Sequence, residues 1–459
     1  MTDNPVLTNL MQRLDEPAGR YNELNLYYRG EQPLAFLSPE AKTALGQRFG
    51  RMASNVPRLA VTALAERLRI TGFSEDAADL WPDWIRNDLD QLSGVAHREA
   101  LLLGDSYVIV WADKLGRPKV TIESAKQVVA QYDPGTRQIV AAAKRWETKT
   151  TTEVMLYEPD QISHFRANAT GATTQGYSLV GQLANPLGVV PVVNIRNADL
   201  ILGERGCSEI DDLKPLVDAL NKSLADMMVT SEYVGRPRRW ATGIELTEEP
   251  VLDDDGNPVL DDDDQPVMAE VNPIPEGNRA MIAEQDGAKF GQLDAADLTG
   301  YEASVRVILG QIMAVSTLPA HYVGVFTDNP ASADALRAAE ASLTARAEAR
   351  QATFGRAWEQ VAKLMLAVRD GRDPLQIEAR VQWADAATRS VAQEADAVVK
   401  LFQANLLPAA YALAKLGYSD DDIAQIRVAR RAEALDSAGI NLLTTPPATA
   451  VIAQPRPAA

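Results

Sequence analysis

The chain has 459 residues, of which 46% are hydrophobic, and it carries a formal net charge of −18 at pH 7. This hydrophobic content excludes global disorder, and the length predicts about two to four substructures. The negative charge argues against tight DNA binding, because phosphate neutralisation by basic side chains supplies most of that affinity. A negative charge is compatible with a protein that DNA must slide past, where tight binding would be harmful. It is equally compatible with an ordinary soluble protein.

The few cysteines and histidines restrict the possible chemistry. Cys207 is the only cysteine, so we expect no intrachain disulfide, no Cys-based zinc site and a reducing cytoplasm. His97, His164 and His321 lie far apart in sequence, which argues against a histidine metal site. Residues 1–14 lack the pattern of a signal peptide, and no uncharged apolar run of about 18 residues predicts a membrane span.

Hydrophobic periodicity divides the first 205 residues into a helical part and a β-rich part. Apolar residues at helical spacing predict helices over 1–72 and 81–103. After Gly104, β-branched and aromatic runs alternate with turn sequences such as 133–135. We therefore predict a series of antiparallel hairpins over 104–196.

Two later segments carry apolar residues at alternating spacings of three and four. This seam predicts helices at 208–235 and 297–318, with Ser208 capping the first and Pro215 in its first turn or bending it. A stripe of apolar residues of this kind is needed by a helix that is buried within the subunit. It is needed equally by a helix that packs against copies of itself in a ring, so both interpretations stay open. The seam residues are Leu213, Val217, Leu220 and Leu224 in the first helix and Leu298, Tyr301, Val305, Ile308, Ile312 and Val315 in the second.

The segment between these helices, 236–296, contains an eight-residue near-repeat of a Pro-Val strand and an acidic turn. We interpret 251–267 as a projecting β-hairpin with charged tips. A calcium loop is the alternative, but an EF-hand register on Gly256 puts Val251 where the first carboxylate ligand belongs. The acidic turn residues are Asp253, Asp254, Asp255, Asp261, Asp262, Asp263 and Asp264.

The last part of the chain is predicted to be helical. Pro319 ends the second seam helix, and a short polar loop leads into a long Ala/Arg/Glu helix over 332–370. Residues 386–434 should form helices that are interrupted near Pro408 and again at 417–420. Mixed charge on the long helix predicts a solvated face. The arginines of that predicted face are Arg337, Arg346, Arg350 and Arg356.

Catalytic motifs are absent from the sequence. We find no P-loop, no Gly-rich dinucleotide fingerprint, no Gly-x-Ser-x-Gly elbow and no His-Glu-x-x-His pair. The densest acidic residues lie in turn sequence without a neighbouring catalytic Lys or His. We therefore expect no catalytic site, no metal and no cofactor, and a protein that is not an enzyme.

Several short segments, in their order along the chain, resemble the portal proteins of tailed double-stranded DNA phages, particularly phages that infect actinobacteria. These portals are the head-to-tail connectors of the virion. Each segment is weak by itself, and their order makes the match specific. Ala333 stands where many relatives have glycine, a departure that should stiffen the neighbouring loop slightly. The matching segments are 27–30, 65–68, 188–193, 206–227 and 329–336.

The resemblance implies an α+β, mostly helical portal fold with wing, stem, clip and crown, and with β-hairpins in the wing and the clip. It assigns 1–205 to the wing, 206–235 and 297–318 to the stem, 236–296 to the clip, 319–331 to the tunnel loop, 332–370 to a long wing helix, 371–440 to a helical crown and 441–459 to a disordered tail.

The resemblance also implies a function: a structural ring, a homododecamer, at the unique capsid vertex. Terminase packages DNA through this ring, and the DNA is later ejected through it. The other expected partners are a head-tail adaptor, the major capsid and scaffolding proteins and double-stranded DNA bound non-specifically, with no membrane. The protein would assemble in the host cytoplasm and reside in the virion.

Two sets of residues are expected to serve this function. The clip aspartates would face the terminase or the adaptor, and the tunnel loop would meet the DNA. The tunnel-loop residues are Thr327, Asp328, Asn329 and Ser332. The alternatives are an enzyme acting on nucleic acid and another capsid or head-assembly protein.

Overall fold

The structure is a computed structural model with helices and small antiparallel sheets, as the α+β class predicts. It forms two compact units, Met1–Ala386 and Ala387–Ala459, so residues 371–386 belong to the first unit and not with the rest of the expected crown. The described residues are 4–33, 53–201, 205–235, 239–243, 247–251, 257–260, 265–271, 287–292, 298–324, 333–387, 391–418 and 420–443.

The described elements follow one another in this order. The first unit contains α1 (Pro5–Asp15), α2 (Ala18–Arg29), α3 (Val56–Ala65), β1 (Ile70–Glu75), α4 (Trp81–Arg86), α5 (Leu89–Leu103), β2 (Asp105–Ala112), β3 (Pro118–Ser124), β4 (Val128–Tyr132), β5 (Ile139–Glu147), β6 (Thr152–Tyr157), β7 (Gln161–Ala167), β8 (Tyr177–Ala184), β9 (Val192–Arg196), α6 (Lys214–Gly235), β10 (Arg239–Thr242), β11 (Thr247–Pro250), β12 (Met268–Val271), β13 (Lys289–Gln292), α7 (Thr299–Ser316), α8 (Ala333–Asp370) and β14 (Ala379–Trp383). The second unit contains α9 (Val391–Gln403), α10 (Ala409–Lys415) and α11 (Asp420–Leu443).

The predicted hairpins over 104–196 are present as two antiparallel sheets. Strands β4 to β8 form a five-stranded meander in chain order, and β3, β2 and β9 form a three-stranded sheet with β2 in the centre. Helix α1 packs on the meander through an apolar face, and Asn4 caps it by accepting hydrogen bonds from the backbone N–H groups of Val6 and Leu7. The meander thereby gains a small core of its own on this face.

The prediction that 1–72 is entirely helical is wrong at its end. Residues Ile70–Glu75 form β1, which pairs antiparallel with β14, about 300 residues later in the chain. The helix predicted over 81–103 is divided into α4 and α5, because Asp88 adopts a left-handed backbone conformation with φ 55°. The interruptions expected near Pro408 and at 417–420 are confirmed, but α11 continues to Leu443, into the predicted disordered tail.

Helix α8 forms the centre of the main core. Phe354, Trp358, Val361 and Met365 on this helix are fully buried among residues of α3, α5 and the three-stranded sheet. Trp358 donates a hydrogen bond from Nε1 to Nε2 of the equally buried His97, 2.7 Å away. This bond and the burial keep the imidazole neutral, so His97 is a core residue and not a metal ligand.

Acid should destabilise the fold through His97. Burial lowers the pKa of His97 from 6.5 to about 3. Below pH 6.5 the unfolded chain therefore binds a proton that the folded chain does not bind until about pH 3. Stability contributed by neutral His97 is complete above pH 6.5 and falls by about 1.4 kcal/mol per pH unit well below it. Urea unfolding between pH 7.5 and 4.5 measures this slope.

The matched variant is His97→Gln, which keeps a hydrogen-bond acceptor for Trp358 and does not titrate. We expect its free energy of unfolding to fall less steeply with acid than that of the wild type. Parallel curves for the two proteins would show that His97 does not control the acid response.

Candidate functional site

Helices α6 and α7 pack against each other and form the candidate stem. The first of them begins at Lys214, later than predicted, with Pro215 in its first turn as expected. Ser208 does not cap a helix. Its hydroxyl donates to the backbone oxygen of Leu102, 2.5 Å away, and the residues after it form turns. The turn sequence 208–213 therefore fixes α6 to the end of α5.

Most of the predicted seam packs inside the subunit. Leu213, Val217, Leu220 and Ile312 are at most 2% exposed and belong to the main core. Three further seam residues are partly buried against the same core, namely Leu224, Val305 and Ile308. Leu298 and Tyr301 are also partly buried. Val315, at the end of the seam, is 39% exposed. The spacing thus identified one helix face correctly, and packing of this face between copies stays a prediction.

A second face of α7 is exposed. It contains Val307, whose side chain is 65% exposed, and small or polar residues at spacings of three and four on either side. The other residues of this face are Gly300, Ser304, Gln311 and Ala314. Sequence analysis missed the face because its residues, apart from Val307, are small or polar and do not raise the hydrophobic periodicity.

One arginine of α8 links the ends of both candidate stem helices. Arg346 pairs with Glu209, 2.6 Å away, just before α6, and it donates to the backbone oxygen of Val315 near the end of α7. Cationic side chains bind favourably at a helix C-terminus, where backbone oxygens lack partners. Arg346 therefore holds the base of α6 and the end of α7 against the same helix.

The prediction that Arg350 lies on a solvated face is wrong, because this residue is only 7% exposed. Its guanidinium lies 3.0 Å from Oε1 of the buried Glu209 and 2.8 Å from Oδ1 of Asp199. Asn197 donates a further hydrogen bond to Glu209. Local charge pattern could not reveal this network, because the acid partner lies 141 residues away in sequence.

The start of the candidate tunnel loop is fixed by a second ion pair. Glu340 on α8 lies 3.0 Å from Arg67 and 3.5 Å from His321, which belongs to a short 3-10 turn after Pro319. Arg67 also donates to the hydroxyl of Tyr322 in the same turn. The four tunnel-loop residues that the sequence singled out, Thr327, Asp328, Asn329 and Ser332, lie outside the described residues.

The candidate clip contains two small ribbons. Strand β10 pairs with β13, where the ring of Trp240 covers Gly291, and β11 pairs with β12. The eight-residue repeat brings its three valines together: Val251 donates to the oxygen of Val267, Val267 to Val259, and Val259 to Val251. The seven clip aspartates lie outside the described residues, so their role stays a prediction.

Sequence analysis also missed a buried polar cluster around Asp105. Its carboxylate accepts hydrogen bonds from the side chain of Asn194 and from the backbone N–H of Gly206, both 2.9 Å away. Burial raises the pKa of Asp105. Three tyrosines line the adjoining cavity, namely Tyr21, Tyr107 and Tyr132. No sequence motif predicts this cluster. Its hydrogen bonds join the start of β2 to the segment before α6.

The three histidines occupy separate environments. His97 is in the main core, His164 contacts Glu153 of the neighbouring strand at 2.7 Å, and His321 lies beside Glu340. Within the described ranges, no group of three or more His, Cys, Asp or Glu residues could hold a metal ion. No described helix is both long and apolar enough to cross a membrane.

The chain is similar to phage proteins over most of its length. A family model described as "Phage portal protein, SPP1 Gp6-like" matches residues 9–435. The portal proteins of Mycobacterium phages L5 and D29 are 29% and 30% identical to it, and each alignment covers 85% of this chain and 80% of the relative.

Two solved structures of gene transfer agent particles also align with the chain. A chain in the virion of a native particle has a TM-score of 0.44 and 13% identity, with coverage of 87% of this chain and 93% of that one. A chain in the neck of a native particle has a TM-score of 0.44 and 15% identity, with coverage of 86% and 97%. On the family match, the chain belongs to the phage portal proteins of the SPP1 Gp6-like family, the structural proteins of the capsid vertex.

Proposed function

We propose that twelve copies of this chain form a ring and that double-stranded DNA passes through its centre. Terminase would drive DNA inward during packaging, and the DNA would leave by the same route during ejection. The observation that carries the proposal is the portal family match over residues 9–435, which includes the candidate stem, clip and tunnel loop. Assembly would take place in the host cytoplasm, with the adaptor, the major capsid and the scaffolding proteins as further partners.

The contacts of the described residues support this arrangement. Helix α6 has its seam buried in the subunit, and α7 leaves a second face exposed, so a neighbouring copy can pack against the pair without disturbing the core. A heterologous contact of this kind closes into a ring when the rotation between copies is right. We propose the exposed face of α7, together with Val315 at the end of the seam, as part of the interface between copies.

The proposed roles of the tunnel loop and the clip follow from their positions in the chain. The turn held by Glu340 begins the loop and α8 follows it, so the DNA-facing residues would lie between two well-packed segments. The clip aspartates lie in the sequence between β11 and β12, and we propose that they face the terminase or the adaptor. A portal ring supplies a channel and docking surfaces, and this proposal gives the chain no catalytic role.

Val307→Asp should abolish rings and leave the subunit folded. The side chain is already 65% exposed, so the monomer loses little when it becomes charged. In the ring, the change would bury an unpaired carboxylate at every interface, which is strongly unfavourable. Negative-stain images of the wild type should show rings with a central hole. The variant should elute as a monomer with a melting temperature close to that of the wild type.

Two controls separate assembly from folding. Glu302→Gln changes another exposed residue of α7 and should leave the rings intact. Ile308→Asp places a charge against the main core and should lower the melting temperature, as well as the yield of rings. If Val307→Asp forms rings as abundantly as the wild type, this face is not the interface. If the wild type forms no rings, the proposed function is wrong.

A further inference from the structure

The net charge of the chain is confined to its first unit. Residues 387–459 contain seven Lys or Arg residues and seven Asp or Glu residues, so the whole formal charge of −18 falls on residues 1–386. The second unit is therefore electrically neutral as a whole. At 0.1 M salt, exposed charges act on DNA only over about 10 Å, so DNA bound at this unit would respond mainly to charges within that distance.

Helix α11 presents three arginines to solvent. Arg427, Arg430 and Arg431 are exposed, and their spacing of three and four places them on one side of the helix. None of them forms an ion pair with a described residue, and Glu433 is the one acidic residue in the sequence 423–435. An unpaired arginine face in an otherwise acidic chain requires an anionic partner or a fully solvated helix.

The chemistry of this face suits phosphate. A guanidinium binds phosphate oxygens through two parallel hydrogen bonds. The residues between Arg427 and Arg430, Val428 and Ala429, add no side-chain hydrogen-bonding group to this face.

We propose that the arginine face of α11 contacts the backbone of double-stranded DNA without regard to sequence. This inference rests on the proposed function, because it needs DNA to be held at the portal ring. A ring repeats the face once per copy, so contacts that are individually weak add along one DNA molecule.

The test compares the full-length wild type with Arg427→Gln/Arg430→Gln/Arg431→Gln. The probe is a fluorescein-labelled 30-base-pair duplex, and binding is followed by anisotropy between 50 and 200 mM salt. The variant should bind more than about tenfold more weakly at 50 mM salt, and its slope of log K against log salt should be reduced by up to about 2.7 for three lost phosphate contacts. Glutamine has nearly the helix propensity of arginine, so circular dichroism should be unchanged.

The control is Lys114→Gln/Arg117→Gln/Lys149→Gln, which removes three positive charges from exposed positions of the first unit. It should bind DNA like the wild type. Equal losses in the two triple variants would show that only the total charge matters and would overturn the proposal, as would unchanged binding by the α11 variant. Ring images are recorded separately on the same samples, so a failure to form rings is distinguished from a loss of DNA binding.

Discussion

Gly206→Ala should destabilise the first unit severely. A Cβ atom at residue 206 would lie 1.8 Å from the backbone oxygen of Gly104, and a Cβ atom at residue 104 would lie 2.2 Å from the oxygen of Gly206. Both obstacles are backbone atoms, so no side chain can move aside to make room. We expect a loss of more than about 4 kcal/mol in the free energy of unfolding, seen as insoluble protein or a melting temperature lowered by many degrees.

The two glycines cannot separate without loss of other contacts. Gly104 accepts a hydrogen bond from the N–H of Asn197, and Gly206 donates one to the buried carboxylate of Asp105. Gly104 also has a φ of +98°, which strains any L-residue at that position. Gly19→Ala is the matched control, because nothing lies near its Cβ position in α2, and it should stabilise the protein slightly. Equal melting temperatures for the two variants would show that the close approach is not needed.

This contact shows how far local sequence predicts the fold. The hairpins over 104–196 and the seams of α6 and α7 were predictable, because each depends on residues that are close together in the chain. Two other contacts join segments that are far apart in sequence: the approach of Gly104 to Gly206 and the pairing of β1 with β14. The local sequence of one segment does not indicate which other segment it will contact. A six-residue strand such as β1 is also too short for its alternation to stand out beside a long helical pattern.

The candidate site was predictable to a similar degree. The seam residues share a helix face, as their spacing indicated, but the structure assigns most of that face to the subunit's own core. The exposed side of α7, marked by Val307, and the unpaired arginines of α11 become visible only when burial is known. Arg346 and Arg350 show the converse, because their place in an Arg/Glu-rich helix concealed a buried acid partner.

Glu209→Ala should destabilise the first unit by about 3–5 kcal/mol, because it leaves buried charge without a partner. The Glu209 side chain is 4% exposed, and it accepts from Arg350, Arg346 and Asn197. After its removal, Arg350 would keep only Asp199, whose side chain is half exposed, as an anionic contact. Urea unfolding of the wild type and the variant measures the loss.

The control is Arg356→Gln on the same helix, which removes the pair of this exposed arginine with Glu359 and leaves Glu359 its second partner, Arg380. Exposed pairs contribute about 0.2–1 kcal/mol, so this change should be nearly neutral. A double-mutant cycle of Glu209→Ala with Arg350→Ala should give a coupling free energy above about 1 kcal/mol, because the residues share one network. Additive effects within about 0.5 kcal/mol would show that the pair is not coupled.

The same network should affect assembly through the ends of the stem helices. Glu209 lies just before α6, and its partner Arg346 also donates to the backbone oxygen of Val315 on α7. Arg346→Gln removes the ion pair and can keep a hydrogen bond to Val315, whereas Arg346→Ala loses both. If the hydrogen bond to Val315 positions α7 for its neighbour, Arg346→Ala should give fewer rings than Arg346→Gln at equal stability. Equal ring yields at equal stability would mean that the network serves folding alone.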